Sequence, residues 1–343
     1  METSRLQTSL PHIIQHEHGI VTVDADYLRP GLAAIHLLIE AGHVAIIDTG
    51  VNASVPGLLA ALRTLDLTPE AVQYVIVTHV HLDHAGAAGL ILQHCPNARL
   101  VVHPRGARHM IDPGQLVAGV KAVYGEENFY HLYGEIVPVS ADRVIEAADG
   151  FRLDFHGRVL TFLDTPGHAK HHFCVHDAQS ESLFTGDTFG ISYREFDVEF
   201  DAEDDVDGDG LKRAFIFPTT TPVQFDPPAL HASIDRLLSL QAEAAYLTHY
   251  GRVTGLEMLA PQLHELIDEW AELALAITET GAEAQQQLEQ ALRDSLMLRL
   301  RKHGCVLEDL MCHELLSNDI SLNAQGLLAW RDQALRNTTA RQN

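Results

Sequence analysis

The chain has 343 residues, 46% of them hydrophobic and 20% charged, which excludes wholesale disorder or a fibrous repeat and suits one large domain with an appendage. Asp plus Glu outnumber Lys plus Arg 47 to 23, and the net charge of −24 repels polyanions, so nucleic acid is not an expected partner. Histidine is abundant, with 22 residues, and imidazole is both the commonest metal ligand and a proton carrier near neutral pH.

The opening residues lack a basic segment leading into an apolar one. Apolar runs such as 32–39 and 44–47 stop well short of the roughly 20 residues of a membrane span. The expectation is a cytoplasmic chain that makes no membrane contact. Short β-branched runs then alternate with amphipathic ones, predicting mixed α/β structure over about 12–250. Residues 44–48 read as a buried strand and 55–65 as the helix after it; 72–78, 86–94 and 99–103 read as strand, helix and strand. Further strands are expected at 159–164, 172–176, 183–185 and 245–248. After Gly255 the texture changes to helix formers at 256–278, 282–303, 306–316 and 322–336. The expected division is therefore 1–255 and a helical extension over 256–343, a module for packing, for homodimerisation or for shaping a pocket. Cys95, Cys174, Cys305 and Cys312 have no CxxC spacing and read as small buried hydrophobes.

The chemistry lies where strands end. Thr78-His79-Val80-His81-Leu82-Asp83-His84 contains HxHxDH. On leaving a strand, His79 and His81 fall on one face and Asp83 and His84 follow in the turn, so one loop offers two nitrogens to one ion and a carboxylate plus nitrogen to a second. Val44-Ala45-Ile46-Ile47-Asp48-Thr49-Gly50, Thr165-Pro166-Gly167-His168, Phe184-Thr185-Gly186-Asp187 and Leu247-Thr248-His249 complete the set, each just after an expected strand. These five motifs, in this order, resemble those of the metallo-β-lactamase-fold hydrolases, on the branch of glyoxalase II-like thioesterases and lactonases. The resemblance implies a four-layer αββα sandwich, here with a helical C-terminal extension. It further implies that His79, His81 and His168 hold one metal, that Asp83, His84 and His249 hold another with Asp187 bridging, and that Asp48 supports the site from behind. Related flavodiiron and oxygen-binding proteins usually carry an acidic residue where this chain has His81, so the resemblance points to hydrolysis rather than redox chemistry.

Nitrogen and oxygen donors of this kind suit two Zn²⁺, with Fe²⁺ or Mn²⁺ as substitutes. Two ions sharing a water would supply a metal-bound hydroxide, with Asp83 receiving or orienting its proton. No GxSxG, GxxxxGK[ST] or GxGxxG appears, which removes support for serine hydrolase, nucleotide hydrolase and dinucleotide oxidoreductase readings. The leading expectation is hydrolysis of a small ester, thioester or lactone. The alternatives are a small-molecule phosphodiesterase and a metal-binding regulatory protein with little turnover. Aromatic residues in 106–138 (Tyr124, Phe129, Tyr130, Tyr133) and 188–228 (Phe189, Tyr193, Phe196, Phe215, Phe217, Phe225) are expected to line an apolar pocket in loops, with the Tyr193 hydroxyl facing the substrate oxyanion. His172 reads equally as a support for the metal site and as a core residue; His171 reads as exposed. His12, His16, His18, His36 and His43 read as hydrogen-bonded core residues. Asp205-Val206-Asp207-Gly208-Asp209-Gly210 matches the start of a calcium loop but has Ile216 at the twelfth position, and 201–209 reads as a solvated acidic loop.

Overall fold

The computed structural model describes residues 12–199, 212–220 and 224–342; the acidic loop 201–209 lies outside them. The chain forms two compact units, Met1–Ala147 with Leu153–Val159, and Ala148–Arg152 with Leu160–Asn343.

In the first unit, β1 (Ile13–Gln15), β2 (Ile20–Asp24), β3 (Ala34–Glu40), β4 (His43–Ile47), β5 (Val72–Ile76), β6 (Arg99–Val102) and β7 (Val144–Glu146) make a seven-stranded sheet in sequence order. Pairing is antiparallel up to β4 and parallel from β4 to β7. The switch is visible in composition, because the parallel part buries continuous apolar runs: Val44 to Ile47 and Leu100 to Val102 are all fully covered. Between these strands run α1 (Val55–Thr64), the short α2 (Leu82–Ala85), α3 (Ala88–His94), α4 (Pro104–Ile111), α5 (Gly114–Tyr124) and α6 (Glu126–Tyr133). The aromatic segment 106–138, expected to be loop, is therefore mostly helical. Its glycines mark the helix ends: Gly125 (φ +81°) separates α5 from α6 and Gly134 (φ +69°) terminates α6.

In the second unit, β8 (Arg152–Phe155), β9 (Arg158–Asp164), β10 (Phe173–Asp177), β11 (Ser182–Gly186), β14 (Ala244–Leu247) and β15 (Gly251–Thr254) make a sheet ordered β15-β14-β11-β10-β9-β8. A ribbon of β12 (Val198–Glu199) and β13 (Lys212–Arg213) is separate. The β11–β14 pairing is parallel, which brings Asp187 and His249, the residues following those strands, out at the same end of the sheet. Helix α7 (Pro227–Leu238) lies between β13 and β14 in sequence and is capped by Asp226, whose carboxylate accepts from Ala229 N.

The helices α8 (Leu256–Ala276), α9 (Gly281–His303) and α10 (Asp309–Gln342) complete the second unit. Ala284, Leu288, Leu292, Leu296 and Leu300 recur every four residues and are buried. Cys312, Leu316, Ile320, Ala324 and Leu327 form the matching stripe on α10. The expected break between 316 and 322 is absent. Ser317, Asn318, Asp319 and Ser321 are poor helix formers in isolation because their side chains compete for backbone groups. Here Asp319 accepts from Tyr193 Oη, and Ser321 Oγ pairs with Glu289 Oε1 at 2.9 Å, so tertiary partners engage the competing groups and the helix continues. All four cysteines are buried and none is in a disulfide, as expected. Among the described residues no helix is long and apolar enough to cross a membrane.

Candidate metal centre

In the first unit, the ligand loop is positioned by the ends of β4 and β5. Asp48 leaves β4 with φ +55°, and its carboxylate accepts from Thr78 N (2.8 Å) and from Thr78 Oγ1 (3.0 and 2.9 Å to the two oxygens). The same carboxylate meets His84 Nδ1 at 2.8 Å. A carboxylate only accepts, so the His84 hydrogen is on Nδ1 and Nε2 presents a lone pair. Thr49 N and Thr49 Oγ1 both donate to His84 O, at 2.7 and 2.8 Å, tying the loop after β4 to the loop after β5. Within that frame His79 Nε2 and His81 Nδ1 approach to 2.8 Å, and the His79 ring lies 4.1 Å from that of His84, centre to centre. Asp83 Oδ2 stands 3.6 Å from His84 Nε2, on a side chain one quarter exposed. Asp48 thus braces Thr78 and His84 from behind the loop.

In the second unit, the corresponding side chains come from three separate strand ends. His168 sits between β9 and β10, fully buried, with Nδ1 3.3 Å from Thr219 O. That bond leaves Nε2 to face Asp187 Oδ2 at 3.4 Å, while His249 Nε2 stands 3.7 Å from Asp187 Oδ1. The loop of His168 needs its glycine: a Cβ on Gly167 (φ +135°) would lie 2.3 Å from Leu230 Cα of α7. His172 resolves as a support rather than an isolated core residue. Its Nε2 accepts from Asp187 N at 3.2 Å, and its Nδ1 faces Thr165 Oγ1 and Thr188 Oγ1 at 2.9 and 3.1 Å, so it fixes the backbone that carries Asp187.

The donor set can be tested against a metal ion by its spacing. Two ligands of one tetrahedral zinc, each near 2.0–2.1 Å from it, stand about 3.3 Å apart. The three imidazole-carboxylate separations of 3.4, 3.6 and 3.7 Å lie close to that edge and beyond an ordinary hydrogen bond. The seven expected ligands are five imidazoles and two carboxylates, nitrogen and oxygen donors of the kind that divalent ions take. These residues fit divalent metal ions in spacing and in donor chemistry.

Several expectations around the centre are corrected. Phe189, Tyr193, Phe196, Phe215 and Phe217 are fully buried and pack on one another, with Tyr193–Phe217 centroids 6.0 Å apart and Phe196–Phe215 6.1 Å; they are core rather than an open pocket. Tyr193 donates its hydroxyl to the Asp319 carboxylate, at 3.0 and 3.1 Å to the two oxygens, and so gives its only proton to α10 rather than to a substrate oxygen. His171 is buried instead of exposed. Among the five histidines expected in the core, only His36 is buried, its Nδ1 3.2 Å from Thr22 Oγ1; His12 and His18 are exposed.

Sequence reasoning also missed Tyr27. Its hydroxyl donates to Tyr133 Oη at 3.2 Å, and Tyr124 packs edge-on against the Tyr133 ring, 6.1 Å between centroids. Burial, reinforced by the negative charge of Asp83, pushes the Tyr124 phenol up to about 12 and those of Tyr27 and Tyr133 higher still. Three neutral phenols thus stand within the field of one expected ligand. Tyr27 lies about a hundred residues from its partners, and no local spacing signals such a pairing.

Comparison with known proteins agrees with this geometry. The family profile of the metallo-β-lactamase superfamily matches residues 28–249. A metallo-β-lactamase fold-containing protein of Sulfurisphaera tokodaii, ST1585, is 26% identical over 229 residues, 66% of this chain and 75% of its own. Its crystal structure superposes with a TM-score of 0.58, covering 90% of this chain and 98% of that one. The metallo-β-lactamase family protein TTHA1429 of Thermus thermophilus superposes with the same score at 21% identity, covering 95% and 92%. A hydroxyacylglutathione hydrolase of Aeromonas salmonicida is 29% identical over 154 residues, 45% of each chain.

Proposed function

The chain belongs to the metallo-β-lactamase superfamily, and from that premise we propose that it is a hydrolase of small esters, thioesters or lactones that works with two divalent ions, zinc by preference. His79, His81 and His168 would hold one ion and Asp83, His84 and His249 the other, with Asp187 shared. The observation that carries this reading is the donor set: five imidazoles and two carboxylates, with His84, His168 and Asp187 braced by Asp48, Thr219 O and His172 respectively. When bound, such ions lower the pKa of a shared water and polarise the carbonyl under attack.

The protein's own groups divide the remaining work. Asp83, partly exposed at the end of the ligand loop, is placed to accept a proton from the attacking water and pass it to the leaving group. Asp187, held through its backbone by His172, faces His168 Nε2 at 3.4 Å and His249 Nε2 at 3.7 Å, as a shared ligand would. Tyr27, Tyr124 and Tyr133 remain protonated at all physiological pH, so they offer neutral hydrogen bonds near Asp83 without adding charge. Neutral donors beside an acidic protein favour an uncharged or weakly anionic acyl group. The hydroxyacylglutathione hydrolase similarity supports an acyl substrate over a phosphodiester.

The test is a turnover screen across esters, thioesters, lactones and phosphodiesters with metal-analysed protein. Close to two transition-metal ions per chain that His81→Ala depletes are expected, with acyl turnover lost on chelation and restored by Zn²⁺. Less than about half an ion per chain after growth in replete medium would sink the reading. Turnover of a phosphodiester above every acyl compound would replace the substrate class and leave the metal centre standing.

A further inference from the structure

Elsewhere in the second unit, two helices carry the same pair of residue types at the same spacing. Helix α7 presents His231 and Asp235, and α8 presents His264 and Asp268, each pair one helical turn apart. The pairs are cross-braced: His231 Nε2 lies 2.9 Å from Asp268 Oδ1, and His264 Nε2 3.2 Å from Asp235 Oδ1. A neutral imidazole has one N–H, and a carboxylate only accepts. With both rings neutral, each Nε2 carries the hydrogen and each Nδ1 a lone pair.

Those two Nδ1 atoms are 2.5 Å apart. The ring planes differ by 16° and the centroids are 4.8 Å apart, which places the nitrogens close to the line joining the ring centres and aims the lone pairs at each other. Two lone pairs at that distance repel unless a cation separates them. An imidazole whose far N–H is fixed by a carboxylate, and whose near nitrogen points to a shared position, is the way metal-bound histidines are braced. In the candidate metal centre Asp48 braces His84 in this way, through Nδ1 at 2.8 Å.

We propose that His231 and His264 hold a further divalent transition-metal ion of borderline softness between α7 and α8, with Asp235 and Asp268 orienting the imidazoles and water completing the coordination. Two nitrogens on one such tetrahedral ion stand about 3.3 Å apart with converging lone pairs, so on binding the rings part by about 1 Å and turn toward a common point. Both are about one quarter exposed, at 24% and 26%, and have room to do so. The ion is structural: it pins the outer face of α7, whose inner face packs Leu230 on Gly167 and donates Ser233 Oγ to Pro166 O at 2.6 Å, next to His168.

The test uses the full chain, stripped with a chelator and titrated with Zn²⁺, and with Cu²⁺ for electron paramagnetic resonance. Wild type is expected to bind one equivalent more than His264→Ala or His231→Gln, with folding of each variant checked by circular dichroism. The copper spectrum should show two coupled nitrogens that His264→Ala loses. Asp268→Asn should keep the equivalent and weaken it about 10- to 100-fold, the usual consequence of removing a carboxylate behind a ligand. His81→Ala should deplete the main centre and retain this ion, so failure here is distinguishable from failure of the proposed hydrolase site. Equal stoichiometry in wild type and His264→Ala would overturn the proposal, leaving a shared proton as the cation between the rings. An affinity unchanged by Asp268→Asn would overturn it too, by reducing the pair to unbraced surface histidines.

Discussion

The two sets of candidate ligands are built differently. In the first unit four candidate ligands fall within six residues, on a loop braced by one carboxylate, Asp48. In the second unit three candidate ligands follow three different strands, and each depends on a different neighbour: Thr219 O for His168, His172 for Asp187, and the β11–β14 register for His249. A contiguous loop can set its ligand spacing by local geometry, whereas a dispersed set inherits its spacing from sheet pairing. The first half should therefore yield to a change at one bracing residue, and the second should be damaged piecemeal.

The largest effect expected is chemical. His81→Ala from the first half and Asp187→Ala from the second should each lower acyl turnover by about 10³-fold or more while leaving circular dichroism native-like. His36→Ala, which removes a buried bond to Thr22, should leave kcat within a few-fold and cost stability instead. Equal activity loss in all three with equal folding would erase the distinction between ligands and core histidines.

The bracing residues sharpen the comparison at the next level. Asp48→Ala, which frees both Thr78 and His84, should weaken metal binding about 10- to 100-fold, measured by competition with a chromophoric chelator. His172→Ala, which frees only the Asp187 backbone, should fall at the lower end of that range. The reverse order would show that the dispersed half, and not the loop, limits affinity.

Tyr193 probes whether its hydroxyl does chemistry or packing. Because the proton is committed to buried Asp319, Tyr193→Phe should cost about 1–3 kcal/mol of stability through a carboxylate that has lost its donor, with kcat little changed. A fall in kcat at constant stability would restore the oxyanion role.

The smallest effect concerns Asp197, in the stretch that follows Asp187. Burial raises its carboxyl from 3.8 to about 6, with Arg194, 3.3 Å away, offsetting part of the rise. A pKa raised in the folded state stabilises below the unfolded value, and that contribution is lost as pH climbs through about 6. Asp197→Asn cannot ionise, so its stability relative to wild type should improve between pH 4 and 7, by no more than about 1–2 kcal/mol once partial solvent screening is allowed for. A difference independent of pH would show that the carboxyl titrates normally.

Much of this was legible in the sequence, because the local signals were physical requirements of the chain itself. Residues 44–48 read as a buried strand since four consecutive apolar side chains suit only a covered parallel position, and β4 spans His43–Ile47. The contiguous His79–His84 loop was legible as a set of candidate donors because its spacing alone puts them side by side. Tertiary structure decided the rest. It joined Tyr27 to Tyr133 and turned the aromatic residues of 188–228 inward, and it carried α10 through Ser317–Ser321 by supplying partners that a helix in isolation lacks. It also turned Tyr193 from a substrate donor into the partner of Asp319, 126 residues away. Periodicity and motif spacing act over a few residues, so a sequence can specify which groups a strand end or helix face presents. Which distant group meets them is set by sheet register and helix packing, where desolvation leaves each buried donor in need of an acceptor.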